Sequence, residues 1–203
     1  MTVTSKGRKA ALGVRCHSGW ATVILVAGSR EDIEIADRRR IELCDPDIHG
    51  SKQPFHEAEP MPLTRAEGFI ARCRASTEAL ACGAIHDVVA LAASRKLKLT
   101  ACGVLSASGR ALPPLRAILA SHMLIHAAEG EFYRDAVARA CERMRIPILR
   151  IRERDALRQA CDAIVLSEAR IRNRLFEFRK TLGAPWTEDE KLATLAAWIT
   201  LVN

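Results

Sequence analysis

The chain of 203 residues carries 31 Lys and Arg against 24 Asp and Glu, a formal net charge of +7, and 49% of its residues are hydrophobic. That length suits one domain with a substantial core, and the composition excludes a disordered chain. The apolar run from Ala21 to Ala27 is too short to cross a bilayer, and Arg15 and His17 interrupt the stretch a signal peptide would need unbroken, so neither membrane attachment nor export is expected.

After a polar tail over residues 1–9, Ala10 to Val14 reads as a short strand. Gly19 to Ala27, rich in Val, Ile, Thr and Trp, reads as a second, buried strand. In "EDIEIADRRRIEL" the apolar residues Ile33, Ile35, Ile41 and Leu43 alternate with polar ones, which predicts a third strand with one wet face. Arg38-Arg39-Arg40 interrupts that alternation and fits a bulge or a charge-guarded edge. The first 44 residues therefore predict a three-stranded antiparallel meander.

Residues 45–63 hold four prolines and no periodicity, which predicts a long loop, with His56 and Glu57 set among the prolines. "TRAE" then reads as a capping box, Thr64 at the N-cap and Glu67 three residues on, opening a helix to about Ala93 with a break at Gly83. Its apolar stripe is expected to include Phe69, Ile70, Cys73, Leu80, Ile85 and Leu91. A buried strand follows from Leu97 to Leu105. Pro113-Pro114 opens a second long helix, bent at Gly130 and running to about Arg145. "IPILRIR" is a short strand, Asp155 starts smaller helices to about Lys180, and Thr187 with Glu190 caps a last apolar helix.

Seven cysteines stand at wide intervals with no C-x-x-C pair, which points to reduced thiols and a cytoplasmic protein rather than a disulfide framework or zinc knot. Between Arg134 and Lys180 lie thirteen Lys/Arg and seven Asp/Glu, a local excess of six that nearly accounts for the whole net charge. A basic face of this kind attracts a polyanion, so DNA or RNA is the expected partner, and no membrane.

The order of elements is that of the ribonuclease H-like fold: an α/β, three-layer domain spanning 1–203. Its mixed five-stranded sheet holds three antiparallel strands followed by βαβα, with helices on both faces. Within that fold three stretches resemble the RuvC-type Holliday-junction resolvases and their YqgF-like relatives. They are "LGVRCHSGWATVIL", similar to the strand-turn-strand opening G-[IV]-D-x-x-x-G-[WY]; "ERMRIPILRIRERDALRQA"; and "WTEDEKLATLAAWI", similar to the terminal helix that brings in the last acid. The resemblance implies a nuclease using carboxylates from several strands and the last helix to hold two divalent metals.

Residue by residue the sequence departs from that pattern. Arg15 stands at the first acid position, Ser106 and Ser108 stand where the second is expected, and only Asp189, between Glu188 and Glu190, offers the last. The expectation is a catalytically degenerate protein that binds nucleic acid or serves as a scaffold, with Arg15, His17, Ser106, Ser108, Arg150 and Arg152 as phosphate-binding candidates. The alternative is a divergent metal-dependent nuclease or phosphotransfer enzyme with a site rebuilt around His126, Glu129 and Asp189, and His56 beside them. His122, His126 and Glu129 stand at i, i+4 and i+7 on one helical face. Two neutral imidazoles and a carboxylate so spaced form a candidate site for zinc, manganese or iron, so the cofactor expected, if one binds, is a divalent metal: Mg, Mn or Zn.

Overall fold

The computed structural model describes residues 8–107, 109 and 111–203. Five strands, β1 (Arg8–His17), β2 (Trp20–Gly28), β3 (Ile33–Glu42), β4 (Leu97–Ser106) and β5 (Ile148–Arg152), form one sheet in the order β3-β2-β1-β4-β5. The pairs β1–β2 and β2–β3 are antiparallel, whereas β1–β4 and β4–β5 are parallel. This is the predicted mixed sheet: a meander followed by two crossover strands, whose connections must be helical to return the chain to the same edge. The tail is shorter than expected, because Arg8 and Lys9 pair with Leu97 and Lys98 and belong to β1. Ser108 lies outside the described residues.

Alternation along β1 divides the core. Ala10, Leu12 and Val14 face one apolar layer and Ala11 the other, as the two-residue period of a strand requires. On the first face pack α1 (Pro54–Ala58), α2 (Leu63–Ser94), α3 (Leu115–Leu119) and α4 (His122–Arg143); on the second pack α5 (Ala156–Ile164), α6 (Glu168–Leu182) and α7 (Glu188–Val202).

Helix α2 is a single 32-residue helix without a break at Gly83. It opens directly behind Pro62 with no side-chain cap, so the Thr64–Glu67 box does not form. Pro62 is held extended at φ −54°, ψ 142°, and the first helical position falls on Leu63, which places Thr64 inside the first turn. By length and composition alone α2 could cross a membrane. Its ten buried residues, however, pack against the sheet and α4, and its half-way Glu78 pairs with Arg139 and Arg143 of α4 at 3.2 and 2.9 Å. Leu80 and Leu91 lie outside the buried stripe.

The second long helix is interrupted at Ala120–Ser121 rather than bent at Gly130. Ser121 is extended (φ −143°, ψ 111°), which lets α4 set off in a new direction from α3. Gly130 has another use: a Cβ there would lie 2.7 Å from Nη1 of Arg134, whose Nε reaches the Leu105 carbonyl at 3.0 Å. The 45–63 segment is not all loop, since Pro54 opens the one-turn α1 that buries Phe55 and Ala58.

Helix α7 sits on the sheet at backbone distance. Gly13 of β1 and its neighbour Gly103 of β4 lie beneath it. A Cβ on Gly13 would meet the Ala193 carbonyl and come within 2.5 Å of the Ala197 nitrogen, and one on Gly103 would lie 2.7 Å from the Ala196 carbonyl oxygen. Trp198, fully buried with its indole N–H donating to the Arg30 carbonyl at 3.0 Å, locks the far end; a core tryptophan of this kind contributes about 3–5 kcal/mol relative to alanine. The capping box read from Thr187 and Glu190 forms in full. The front end of α7 is thereby fixed against the ends of β1 and β5.

Candidate functional site

Arg15 is on the α7 face of β1, in alternation with Gly13 and His17. Its guanidinium forms a fork with Glu153, Nε to Oε2 at 3.0 Å and Nη2 to Oε1 at 2.7 Å, and its Nη1 also donates to Asp189. Glu153 opens a turn of 3-10 helix directly behind β5, and Asp189 is in the first turn of α7. All three side chains are at least half-buried: the exposures are 22% for Arg15, 22% for Asp189 and 38% for Glu153. Bidentate, charge-assisted geometry in a partly desolvated place is the strong form of an ion pair.

His17, one strand repeat further on, brings Nε2 to 3.1 Å from Asp189 and stacks on Trp20 at 4.2 Å between ring centroids. Burial and the neighbouring Arg15 cation both disfavour a second positive charge here and lower the His17 pKa from its ordinary 6.5. Arg40 of β3 also lies over Trp20, 4.0 Å from the ring centroid. The Arg38-Arg39-Arg40 run is on the sheet's edge strand, and the register shifts by one residue just before it, opposite Leu25 and Val26. Arg38 ties that edge to the approach of α7 through the Leu182 and Pro185 carbonyls, at 2.9 and 2.6 Å.

Two open clefts flank the Arg15 knot. One lies between Trp20, the three β3 arginines, Thr187 and Asp189. The other runs past Glu153 to Ser106, Ala107, Arg134 and Arg154. Ser106, at the end of β4 and paired in register with Arg152, is buried. Arg150 is held by Glu131 and Asp135 at 3.1 and 2.6 Å, and Arg152 lies 3.5 Å from Asp155. Of the phosphate-binding candidates, then, Arg15, His17, Ser106 and Arg152 lie at one sheet end, with Arg152 near Asp155, whereas Arg150 lies further back along β5 and is held by two carboxylates.

A ribonuclease H-like fold implies a pair of divalent ions at this end of the sheet. The residues present do not fit them. Two carboxylates converge, but a guanidinium lies between them, bonded to both oxygens of Glu153 and to Oδ1 of Asp189, and the second-acid position is a serine. Two dications would add four positive charges to a set whose own charges sum to minus one.

Glu153 has no counterpart among the residues singled out from sequence. Its signal was available: an acid one residue past a parallel strand adjacent to β4 arrives at the same sheet end as Ser106. Cys16, next to His17, points into the opposite layer, and burial there drives its thiol up to about 12. Burial there disfavours the thiolate.

The structure separates the residues of the rebuilt site. Asp189 belongs to α7 on one face of the sheet; His126 and Glu129 belong to α4 on the other. Helices packed on opposite faces cannot pool their side chains across a closed sheet, so His126, Glu129 and Asp189 form no common centre. His122 and His126 instead meet His56 of α1, with centroid separations of 4.5 Å between the first two and 5.5 and 4.8 Å to His56. Glu129, 3% exposed, accepts from the backbone N–H groups of Phe55 and His56 at 2.8 and 3.1 Å, and its Oε1 also lies 3.2 Å from Nδ1 of His56. Burial raises its pKa against the opposing pull of these hydrogen bonds.

The comparisons with known proteins agree with this architecture. The structure of T. thermophilus RuvC in complex with a Holliday junction substrate superposes with a TM-score of 0.50 at 13% identity, covering 94% of this chain and 91% of that one. Thermus thermophilus RuvC without a stated substrate covers 94% and 92% at 14% identity, with a TM-score of 0.49. No family profile matches the sequence. No curated protein matches it either. Sheet order, crossover helices and the seat of the last helix together give this chain the ribonuclease H-like fold of RuvC.

Proposed function

We propose that this chain is a RuvC-like domain retired from two-metal cleavage that binds nucleic acid at the sheet end where the fold's chemistry is usually built. The observation that carries the reading is Arg15: a guanidinium forked onto Glu153 and bonded to Asp189 fills, with positive charge, the place where metal ions would have to sit. The surrounding surface supports the binding half. The clefts on either side are lined by Arg38, Arg39, Arg40, Arg134 and Arg154, side chains of the kind that take phosphate contacts, and binding would have to draw them from the carboxylates they now pair with. Trp20, which stacks with His17 and carries Arg40 over its ring, adds an aromatic and cationic group at the rim. All seven cysteines are free thiols, consistent with work in the cytoplasm.

RuvC of T. thermophilus has been captured with a Holliday junction, so branched DNA is the first ligand to try, alongside duplex and single-stranded DNA and RNA. Binding is measured by fluorescence anisotropy across a salt series, with cleavage followed on the same substrates in magnesium or manganese. The reading expects log affinity to fall linearly with log salt, at a slope of about −0.9 per phosphate neutralised on duplex, with no cleavage product. An Arg39→Ala/Arg40→Ala variant should lower both affinity and slope. Metal-dependent cleavage that disappears in Asp189→Asn, or binding indifferent to salt, would overturn it.

A further inference from the structure

We propose that His56, His122 and His126 form a three-imidazole site for a divalent transition-metal ion of the zinc class, with Glu129 as the outer carboxylate that orients His56. One ring nitrogen from each histidine lies within 4.8 Å of the other two. The Nε2 atoms of His122 and His126 are already 3.0 Å apart. A tetrahedral ion with metal–nitrogen bonds of 2.0–2.1 Å requires its ligand nitrogens about 3.3 Å apart, so rotation of exposed rings closes the remaining distance. Two imidazole nitrogens at 3.0 Å have room for one proton between them or one shared cation. A merely solvated polar edge has no reason to gather a third ring on the same point.

The tautomer of His56 follows from its partner. Glu129 Oε1 takes the Nδ1 hydrogen, which leaves the lone pair of Nε2 free to ligate an ion. A carboxylate behind a ligating histidine is the usual outer layer of zinc sites: it fixes the ring and raises its basicity. Glu129 is itself anchored by the Phe55 and His56 backbone N–H groups, while its second oxygen, Oε2, is buried with no partner. A dication held through His56 supplies the positive charge that this buried carboxylate otherwise lacks.

The scaffold around His56 is rigid. Pro54 fixes the first turn of α1, Phe55 packs edge-on to Phe132, and the Tyr133 hydroxyl donates toward the Ser51 and Lys52 carbonyls at 2.8 and 2.9 Å. His122 and His126 are one turn apart at the start of α4 and are exposed. Three neutral nitrogens suit zinc, cobalt, nickel or copper and not magnesium, which demands oxygen. Three protein ligands facing solvent leave a position for water, the arrangement of reactive rather than closed structural zinc sites. The site is on the opposite sheet face from Arg15 and stands independently of the nucleic-acid reading.

The test uses the full chain, stripped with chelator and titrated with Zn²⁺ and with Co²⁺. One equivalent should bind, cobalt should develop the strong visible bands of four-coordination, and zinc should raise the melting temperature. His122→Ala and His126→Ala, both at exposed positions, should lose at least a hundredfold in affinity. Glu129→Gln should lose about 10–100-fold with its circular dichroism unchanged. Should that buried variant fail to fold, the histidine variants still decide the matter. Absence of stoichiometric zinc, cobalt or nickel uptake by the wild-type chain overturns the proposal, as does unaltered uptake in both histidine variants. Asp189→Asn should bind metal like the wild type, which separates this centre from the Arg15 end.

Discussion

Replacing Arg15 isolates the knot at the end of β1. In Arg15→Ala, Glu153 loses two charge-assisted hydrogen bonds and Asp189 loses one, and the two carboxylates then face each other without a counter-cation. Breaking a fully buried pair from one side costs about 3–5 kcal/mol. Here Glu153 is 38% exposed and recovers some water, and Arg15 and Asp189 are each 22% exposed, which lowers the expectation to about 2 kcal/mol. For a chain of this length that is a fall in melting temperature of about 4–8 °C.

The informative arm is the cation response. Wild type should be indifferent to manganese at this end, because the guanidinium already fills the site. Arg15→Asp brings three carboxylates together and should be rescued by the ion; at manganese 100-fold above its dissociation constant the gain is about 2.7 kcal/mol, enough to lift the variant past Arg15→Ala. Urea unfolding with and without manganese, in His122→Ala backgrounds so that the histidine cluster does not contribute, reads both quantities. If Arg15→Ala unfolds at the wild-type midpoint and Arg15→Asp gains nothing from manganese, Arg15 is an ordinary surface residue and the account of a neutralised site fails.

Three further outcomes are expected. Gly13→Ala drives a methyl into the Ala193 carbonyl and the Ala197 nitrogen; because backbone and not a flexible side chain must yield, the loss should reach about 3 kcal/mol, and a variant as stable as wild type in chemical denaturation would mean that α7 seats elsewhere. His17 should titrate by NMR below its ordinary 6.5. The unfolded chain then binds the proton at higher pH than the folded one, so stability should fall as pH drops from about 6.5 through the folded value, and His17→Gln should flatten that slope; a His17 that titrates above 6.5 contradicts the assignment. Tyr133→Phe leaves the Ser51 and Lys52 carbonyls without their donor and should cost about 1–2 kcal/mol while raising amide exchange through residues 45–53; unchanged exchange there would show that the hydroxyl does not anchor the segment.

What was legible in the sequence was mostly what depends on local periodicity. β2 stands out by its β-branched run, β4 by its apolar end, and the Thr187–Glu190 box by a motif whose partners are three residues apart. Thr64–Glu67 shows the same letters and forms no box, because Pro62 one residue earlier sets where the helix begins. Gly83 and Gly130 read as breaks, yet a helix already held by tertiary packing absorbs a glycine, and the real interruption at Ser121 has neither Gly nor Pro to announce it. The site was legible only in part for a related reason. Arg15 and Asp189 are 174 positions apart and His56 is 73 from Glu129; no spacing rule spans such distances. Asp189 came through the resemblance of its helix and His56 through its place among the prolines, but only the packing of α1 on α4 joins His56 to His122 and Glu129, and only the strand order shows that the acid behind β5, Glu153, reaches Arg15.

The glycine seat under α7 has a bearing on how such a domain can change occupation. Because Gly13 and Gly103 let the helix rest on the sheet main chain to main chain, its seat on the sheet is set by backbone contact as well as by the charges at the strand end. The main-chain seat does not depend on which side chain stands at position 15, so the frame at this end of the sheet accepts a cation as readily as it would an anion.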